Sequence, residues 1–398
     1  MKIWQNCSTN FLWSYWYHGL SGPSRSSRST FCSVITRHVQ GVFRFCVLCA
    51  TLSACGTAKA PDRTDIAAGS SGSQSNTPDA SSIDASVPLV ITPPSGDEPR
   101  CTSPYAPVLE SVPTGTILPV FANSEDQLEV GSGAPDAGIP PPLLPATSIQ
   151  LPNESGELRV LAQLKATDCA GAGTFDQIYS VQSSFAPAAD LPGSTAISKD
   201  DPRLGAWASR VLDVKYGDNV TAAWETPDKA LGSASANSND VVSLGEGGTI
   251  TLGFDSALKD GDGYDFAVFE NGFADTFLEL AFVEVSSDGT HFARFDTASL
   301  TDTPVAAYGT LQPEALQGFA GKYRVGWGTP FDLSWLKWRP EVRTNLVDLS
   351  NITVIRVMDI IGDGRVRDSF GHVVYDPYPT TDSAGFDLDA IGLLNVSP

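Results

Sequence analysis

From residue 241 onward, apolar and polar side chains alternate in short runs. "TITLGF" (249–254), "DFAVFEN" (265–271), "LAFVEVSSDG" (280–289), "HFARF" (291–295), "TVIRVMDI" (353–360) and "LDAIGLLN" (388–395) follow one another between turn residues. Successive side chains of a strand point to opposite faces, so a period of two marks a strand with one buried face. Asp-Gly pairs at 260–261, 262–263, 288–289 and 363–364 punctuate the runs, and such pairs favour turns. Long helical periodicity is absent; only residues 201–215 and 313–320 read as a helical turn or two. The pattern predicts an all-β chain, with a jelly roll or β-sandwich over residues 196–398.

Upstream the pattern thins. "GTILPVF" (115–121), "GELRVLAQLKAT" (156–167) and "FDQIYSVQSSF" (175–185) read as strands around the Pro-rich "APDAGIPPPLLP" (134–145). They predict a small β-rich subdomain over 101–195. Residues 55–100 contain "AAGSSGSQSNTPDASSIDAS" and almost no large apolar side chain. Such a stretch buries too little surface to offset the entropy of ordering, and reads as a disordered tether.

The start of the chain is export machinery rather than domain. Arg37 and Arg44 precede a short apolar run, 45–52, which ends at "Leu52-Ser53-Ala54-Cys55". The run is far shorter than the roughly 20 residues needed to span a bilayer, and the layout is that of a bacterial signal over residues 1–54. Its end resembles the lipobox of bacterial lipoproteins. In that family the cysteine carries lipid and becomes the first mature residue, so Cys55 is the expected lipidation site. A plain signal peptide cut near Ala54 is the alternative. Residues 1–36 precede the basic region and read as an over-long start. Gly56 and Thr57 carry no aspartate-type retention signal, which by the same resemblance points to the outer membrane.

Charge narrows the partners. The chain has 46 acidic against 25 Lys and Arg residues, a formal net charge of −21. Removing residues 1–54 takes away Lys2, Arg25, Arg28, Arg37 and Arg44 and no acidic residue, so the mature chain is more negative still. Such a surface repels phosphate backbones and argues against nucleic acid as a partner. Of seven cysteines, only Cys101 and Cys169 remain after the signal region and Cys55. In an oxidising compartment they are expected to pair as a disulfide.

Several stretches resemble a family of bacterial secreted and cell-surface proteins with a galactose-binding-like jelly roll. They are "PDKALGS" (227–233), "VVSLGEGGTITLGFD" (241–255), "DFAVFENGF" (265–273), "VEVSSDGTHFARF" (283–295), "FAGKYRVGWGTPFDL" (319–333), "YDPYPT" (375–380) and "SAGFDLDAIGLLN" (383–395). The resemblance covers roughly residues 205–397. It implies a sandwich in which first and last strands pair, a location at the cell surface, and in many such modules one structural calcium between loops.

"DGDGYDFAVFEN" (260–271) invites a metal reading. An EF-hand loop needs oxygen ligands at positions 1, 3 and 5, Gly at 6 and Glu at 12. Here position 5 is Tyr264, position 6 is Asp265 and position 12 is Asn271, so the EF-hand match fails. A hairpin turn leading into a strand is the simpler reading. The alternative is a calcium ion held from separate stretches by Asp260, Asp262, Asp265, Glu270, Asp387 and Asp389. In "GDGRVRDSFG" (362–371), Asp363 and Asp368 stand beside Arg365 and Arg367 and predict ion pairs. Trp327, Trp335 and Trp338 crowd one segment and read either as core or as a stacking platform for a sugar ring. Tyr375 and Tyr378 sit in a Tyr- and Pro-rich loop suited to binding.

Signals for catalysis are sparse. The sandwich region has two histidines, His291 and His372, no Gly-x-Ser-x-Gly elbow and no His-Glu-x-x-His,. The leading reading is a surface-anchored, non-catalytic module binding a carbohydrate or another small extracellular ligand, attached to the membrane through its lipid alone. A glycan-acting hydrolase using Asp/Glu pairs and a purely structural or adhesive surface protein are the alternatives.

Overall fold

The computed structural model describes residues 103–122, 128–137, 139–165, 173–394 and 396. The signal region, the tether, Cys55, Cys101 and Cys169 lie outside the described residues.

The chain is all-β, and the two main sheets of its sandwich are antiparallel. One has the order β10-β12-β19-β14-β15. Its strands are β10 (Arg210–Lys215), β12 (Thr249–Leu258), β14 (Ala281–Ser286), β15 (Ala293–Arg294) and β19 (Ile352–Asp359). The other has the order β11-β20-β13-β18-β8, formed by β8 (Ile197–Ser198), β11 (Val242–Ser243), β13 (Phe266–Glu270), β18 (Trp327–Phe331) and β20 (Asp387–Leu393). A short strand, β9 (Ala206–Trp207), also pairs with β20, so the chain's last strand does meet one of the sandwich's first.

Alternate residues of both sheets fill the core, Ile250, Leu252, Phe266, Val268, Val283, Val285, Ile355 and Ile391 among them. Phe266 and Phe331 stack at 5.1 Å, an offset aromatic pair that adds to simple burial. β13 and β20 depart from the half-buried pattern, for every residue of both is buried. Their outer face is covered by Ile197, Leu204, Trp207, Tyr264 and Ala234, packed on Ala267, Phe269 and Ala390. Acidic residues at the ends of these two strands are therefore drawn into the interior.

The upstream region forms its own sheet, β1-β7-β6-β3-β4, from β1 (Val112–Pro113), β3 (Leu128–Gly133), β4 (Leu144–Pro145), β6 (Gly156–Leu164) and β7 (Phe175–Gln182). β2 (Ile117–Pro119) and β5 (Ser148–Gln150) pair beside it. Its core, including Tyr105, Val112, Leu118, Val160, Phe175 and Tyr179, touches the sandwich core through a shared Trp335. A last small pair, β16 (Ala298–Ser299) with β17 (Leu316–Gln317), lies between sandwich strands in sequence.

Two expectations are corrected. Residues 201–215 hold no helix; β9 and β10 lie there, and the alternation of "RVLDVK" lets β10 pair with β12. Residues 313–320 do hold the expected helical turn, the 3-10 turn Pro313–Ala315, which runs into β17. The "DGDG" stretch is also no hairpin, because β12 and β13 belong to different sheets. It carries the chain across the sandwich instead.

Candidate functional site

β13 and β20 run antiparallel, with Phe266 opposite Leu393 and Glu270 opposite Leu388. The acidic residues singled out in the sequence therefore fall at two ends, separated by the length of β13, roughly 15 Å. Asp260, Asp262 and Asp265 lie at one end; Glu270, Asp387 and Asp389 lie at the other. The structure does not bring the six together.

At the first end, Asp265 is fully buried. Its Oδ1 accepts the Gly261 N–H at 2.9 Å and its Oδ2 the Leu333 N–H at 2.7 Å. The carboxylate thus braces the sheet crossing against the segment after β18. Asp332 accepts from Ser334 N–H at 2.9 Å, capping the 3-10 turn that follows. Carboxylate oxygens of Asp260, Asp265 and Asp332 lie within 4.8 Å of one another. Burial raises the pKa of Asp260, and Asp332 adds to it. Asp262 is exposed.

At the other end six carboxylates gather, each buried: Glu246, Glu270, Glu279, Asp359, Asp376 and Asp387. They come from the loop after β11, the end of β13, the residue pair before β14, the end of β19, the loop leading into β20 and, for Asp387, the first position of β20 itself. Backbone N–H groups hold several of them. Asp359 accepts from Gly247 at 2.6 Å and Phe386 at 2.7 Å. Asp376 accepts from Leu280 at 2.9 Å, Glu246 from Thr380 at 2.8 Å, and Glu270 from Gly272 at 2.8 Å. Gly385, at φ +66°, closes this packing; a Cβ there would stand 2.8 Å from Asp359 Oδ1, so only glycine fits.

Asp387 differs from the rest. Its Oδ2 accepts from Asn271 Nδ2 at 2.9 Å. Its Oδ1 is sealed from solvent without a hydrogen-bond partner, as is Ser243 Oγ. The Ser243 hydroxyl is close enough to lower the Asp387 pKa somewhat, but not in ordinary hydrogen-bond geometry. Asp389 sits where the register slips between Phe269↔Ala390 and Glu270↔Leu388, the unpaired residue of a bulge. It is held by Ser235 N–H and Oγ–H, both at 3.0 Å, and by Ala236 N–H at 3.1 Å.

Burial pushes Asp359 and Asp387 up to about 7. It drives Glu270, Glu279 and Asp376 well above the usual carboxylate range, with neighbouring carboxylates adding to the effect. The arginines of the sandwich pair elsewhere, with Glu284, Asp296 and Asp363.

Above this cluster opens a cavity of about 310 Å³. Glu279 and Asp387 form its floor, and Phe273, Phe277 and Tyr308 its wall. Thr380, Thr381 and Ser383 add hydroxyl-bearing side chains at the rim. The Phe277 and Tyr308 rings stack at 6.3 Å and 15°, and Phe273 lies 5.9 Å from Phe277. Phe273 and Tyr308 are 65% and 69% exposed, which is unusual for large aromatic side chains. Tyr308 is held at φ 60°, a conformation uncommon outside glycine.

The tryptophans lie elsewhere. Trp338 donates to Gln177 at 3.1 Å and packs on Phe175. Trp335 meets Phe295 and Tyr264 edge-on. Both join the upstream sheet to the sandwich, so the sugar-platform reading of this pair gives way to packing. Trp327 sits at the β18–β8 pairing under the Arg324 guanidinium. Tyr375 lines a second, more open cavity of about 480 Å³ with His372 and Asp302. Tyr378 bridges to Ala306 ahead of a cis peptide bond to Pro379. Asp363 pairs with Arg365 as expected. Asp368 takes His372 as its partner rather than Arg367, and His372 Nε2 lies 2.9 Å from Thr116 Oγ1.

The sequence reading missed Glu246, Glu279, Asp359, Asp376 and the aromatic wall. A usable signal was present. "FEN", "FLELAF", "VMDI", "YDPY" and "GFDLDA" each place a carboxylate among apolar residues, where an ordinary surface acid does not belong.

No known protein family matches the chain, and no curated protein matches it in sequence. Among solved structures it is similar to a SusE-like protein at 9% identity and a TM-score of 0.25, over 73% of this chain and 95% of that one. It is also similar to carbohydrate-binding modules from the β-sandwich superfamily, at 12% identity and a TM-score of 0.15, over 75% and 94%. Overlays this loose carry no argument about the site.

Proposed function

We propose that the chain is an exported, surface-anchored binding module that takes a carbohydrate in the cavity between Phe273, Phe277 and Tyr308 and the Glu279–Asp387 floor. The observation that carries this reading is the pairing of exposed aromatic faces with a buried acceptor lacking a donor. A sugar offers both complements: apolar C–H faces for the rings and hydroxyl donors for the carboxylates. The anchor is Cys55, on the strength of "Leu52-Ser53-Ala54-Cys55", with attachment at the outer membrane and no other membrane contact. Glycan-array binding should weaken in each of the Tyr308→Ala and Phe273→Ala variants while the melting temperature stays put. Binding unweakened by either substitution refutes the assignment to this cavity. For the anchor, Cys55→Ala should abolish labelling by radioactive fatty acid; unchanged labelling refutes it.

One observation favours a second reading, a glycan hydrolase. Glu279 and Asp387 share one cavity, and burial raises both, the condition under which a carboxylic acid stays protonated and can act as a general acid. Under this reading oligosaccharide is cleaved by the intact protein and not by Glu279→Gln. Binding without turnover decides for the module.

A further inference from the structure

Among the described residues, no Lys or Arg pairs with the carboxylates beneath the cavity. Glu246, Glu270, Glu279, Asp359, Asp376 and Asp387 are all buried. Burial is the largest cause of each upward shift and other carboxylates add to it, while hydrogen bonds lower several of them, and the described ion pairs use other acids. Charge taken out of water without a partner is costly. The cluster therefore either holds its protons or receives a cation from outside. Glu279 marks the place of entry: it is 4% exposed and lines the cavity, with Asp387 beside it. No hydrogen bond reaches the Glu279 carboxylate from the described residues, and it lines the same floor.

Two features of the cavity separate an organic cation from a metal ion. First, the only three carboxylates among the described residues that converge within 4.8 Å are Asp260, Asp265 and Asp332, at the opposite end of β13. No three of the acids under the cavity converge that closely, whereas a calcium site gathers several oxygens about 2.3–2.6 Å from the ion. Second, the wall facing them is aromatic, with Phe277 and Tyr308 stacked and Phe273 alongside. Ring faces attract an ammonium group and offer a metal ion no ligand atom. A volume of about 310 Å³ is at the lower end of small-molecule sites and holds one sugar ring.

We infer that the cavity selects a ligand bearing a primary ammonium, an amino sugar with its nitrogen free rather than acetylated, with the ammonium donating to the Glu279 carboxylate beneath the aromatic wall. This rests on the reading of the cavity as a glycan site and narrows it to one chemical class. Thr380, Thr381 and Ser383 are placed to meet the ring hydroxyls.

Calorimetry on the full chain at pH 7 tests it, with three probes: a glucosamine oligosaccharide, its N-acetylated counterpart of equal length, and calcium chloride. The free-amine oligosaccharide should bind at least about tenfold tighter than the acetylated one, the effect of one desolvated charge pair on an affinity. Glu279→Gln, which keeps the side-chain shape, should erase that preference. Asp387→Asn, which removes the neighbouring carboxylate of the floor, serves as the second variant should the first unfold, and should weaken the preference. Equal affinity for both oligosaccharides overturns the ammonium inference and leaves the glycan site standing. Binding of neither oligosaccharide overturns both. Calcium that binds and is lost in Asp387→Asn, with no preference between the sugars, replaces the ammonium with a metal ion.

Discussion

The two ends of the β13–β20 pair carry the same kind of residue and put it to opposite use. At the "DGDGYD" end, Asp265 is buried and both its oxygens are taken by backbone N–H groups, from Gly261 and Leu333. At the "FEN" end, Asp387 is just as deeply buried and one oxygen is left without a donor. The first carboxylate is a strut between two segments that have no side chain in common. The second has one oxygen taken by Asn271 and the other left beside the Ser243 hydroxyl, outside ordinary hydrogen-bond geometry. Burial of an acid therefore does not tell structure from function; the count of its satisfied lone pairs does.

The comparison breaks most sharply under substitution. Asp265→Ala strips two buried N–H groups of their acceptor and should destabilise the fold by about 3–5 kcal/mol. Asp387→Asn keeps the shape, removes a charge with no counter-ion, and should leave stability unchanged or raised. Urea denaturation of the two variants measures both. Equal losses would mean that the two carboxylates do the same structural work.

Acidity supplies the next largest effect. Asp359 and Asp387 hold their protons up to about pH 7 in the folded state, whereas an unfolded chain releases them near pH 4. Between those limits the folded state binds more protons, so stability falls as the pH rises from about 4 to 7, by roughly 2–4 kcal/mol. Asp387→Asn should flatten that slope, as read from denaturation midpoints at several pH values. A slope that persists unchanged in the variant would show Asp387 to be ionised in the fold.

Smaller effects follow at the surface and the metal. Phe273→Ala and Tyr308→Ala should each weaken ligand binding by about 1 kcal/mol, yet change stability by less than about 0.5 kcal/mol, because both side chains are mostly exposed,. Calcium and magnesium at equal ionic strength should give the same melting temperature, since the Asp265 oxygens are already engaged. A specific rise with calcium, abolished by Asp260→Ala, would turn the strut into a metal ligand. Asp389→Ala should not share that effect, as it lies toward the far end of β20.

Much of the sandwich was legible because strand periodicity is local. "TITLGF", "DFAVFEN", "TVIRVMDI" and "LDAIGLLN" all became strands near their expected limits. The Asp363–Arg365 pair, two residues apart, was legible for the same reason. The candidate site was only half legible. Glu270 and Asp387 stood out in motifs, but Glu279, Asp359 and Asp376 are single acids in apolar runs far apart in sequence. Only register brings Glu270 opposite Leu388 and Asp359 opposite Ala281.

The sequence alone determined the strand content, because alternation is written residue by residue, and the acidic surface charge, because composition is additive. The tertiary structure decided what each acid does. Whether a carboxylate is a turn, a strut or an open acceptor depends on which backbone N–H groups arrive beside it. Those groups come from segments up to 188 residues away, as Val108 does for Asp296. It also decided that Trp335 and Trp338 join two sheets while Phe273, Phe277 and Tyr308 face a cavity. An aromatic side chain carries no mark of its partner until the chain has closed around it.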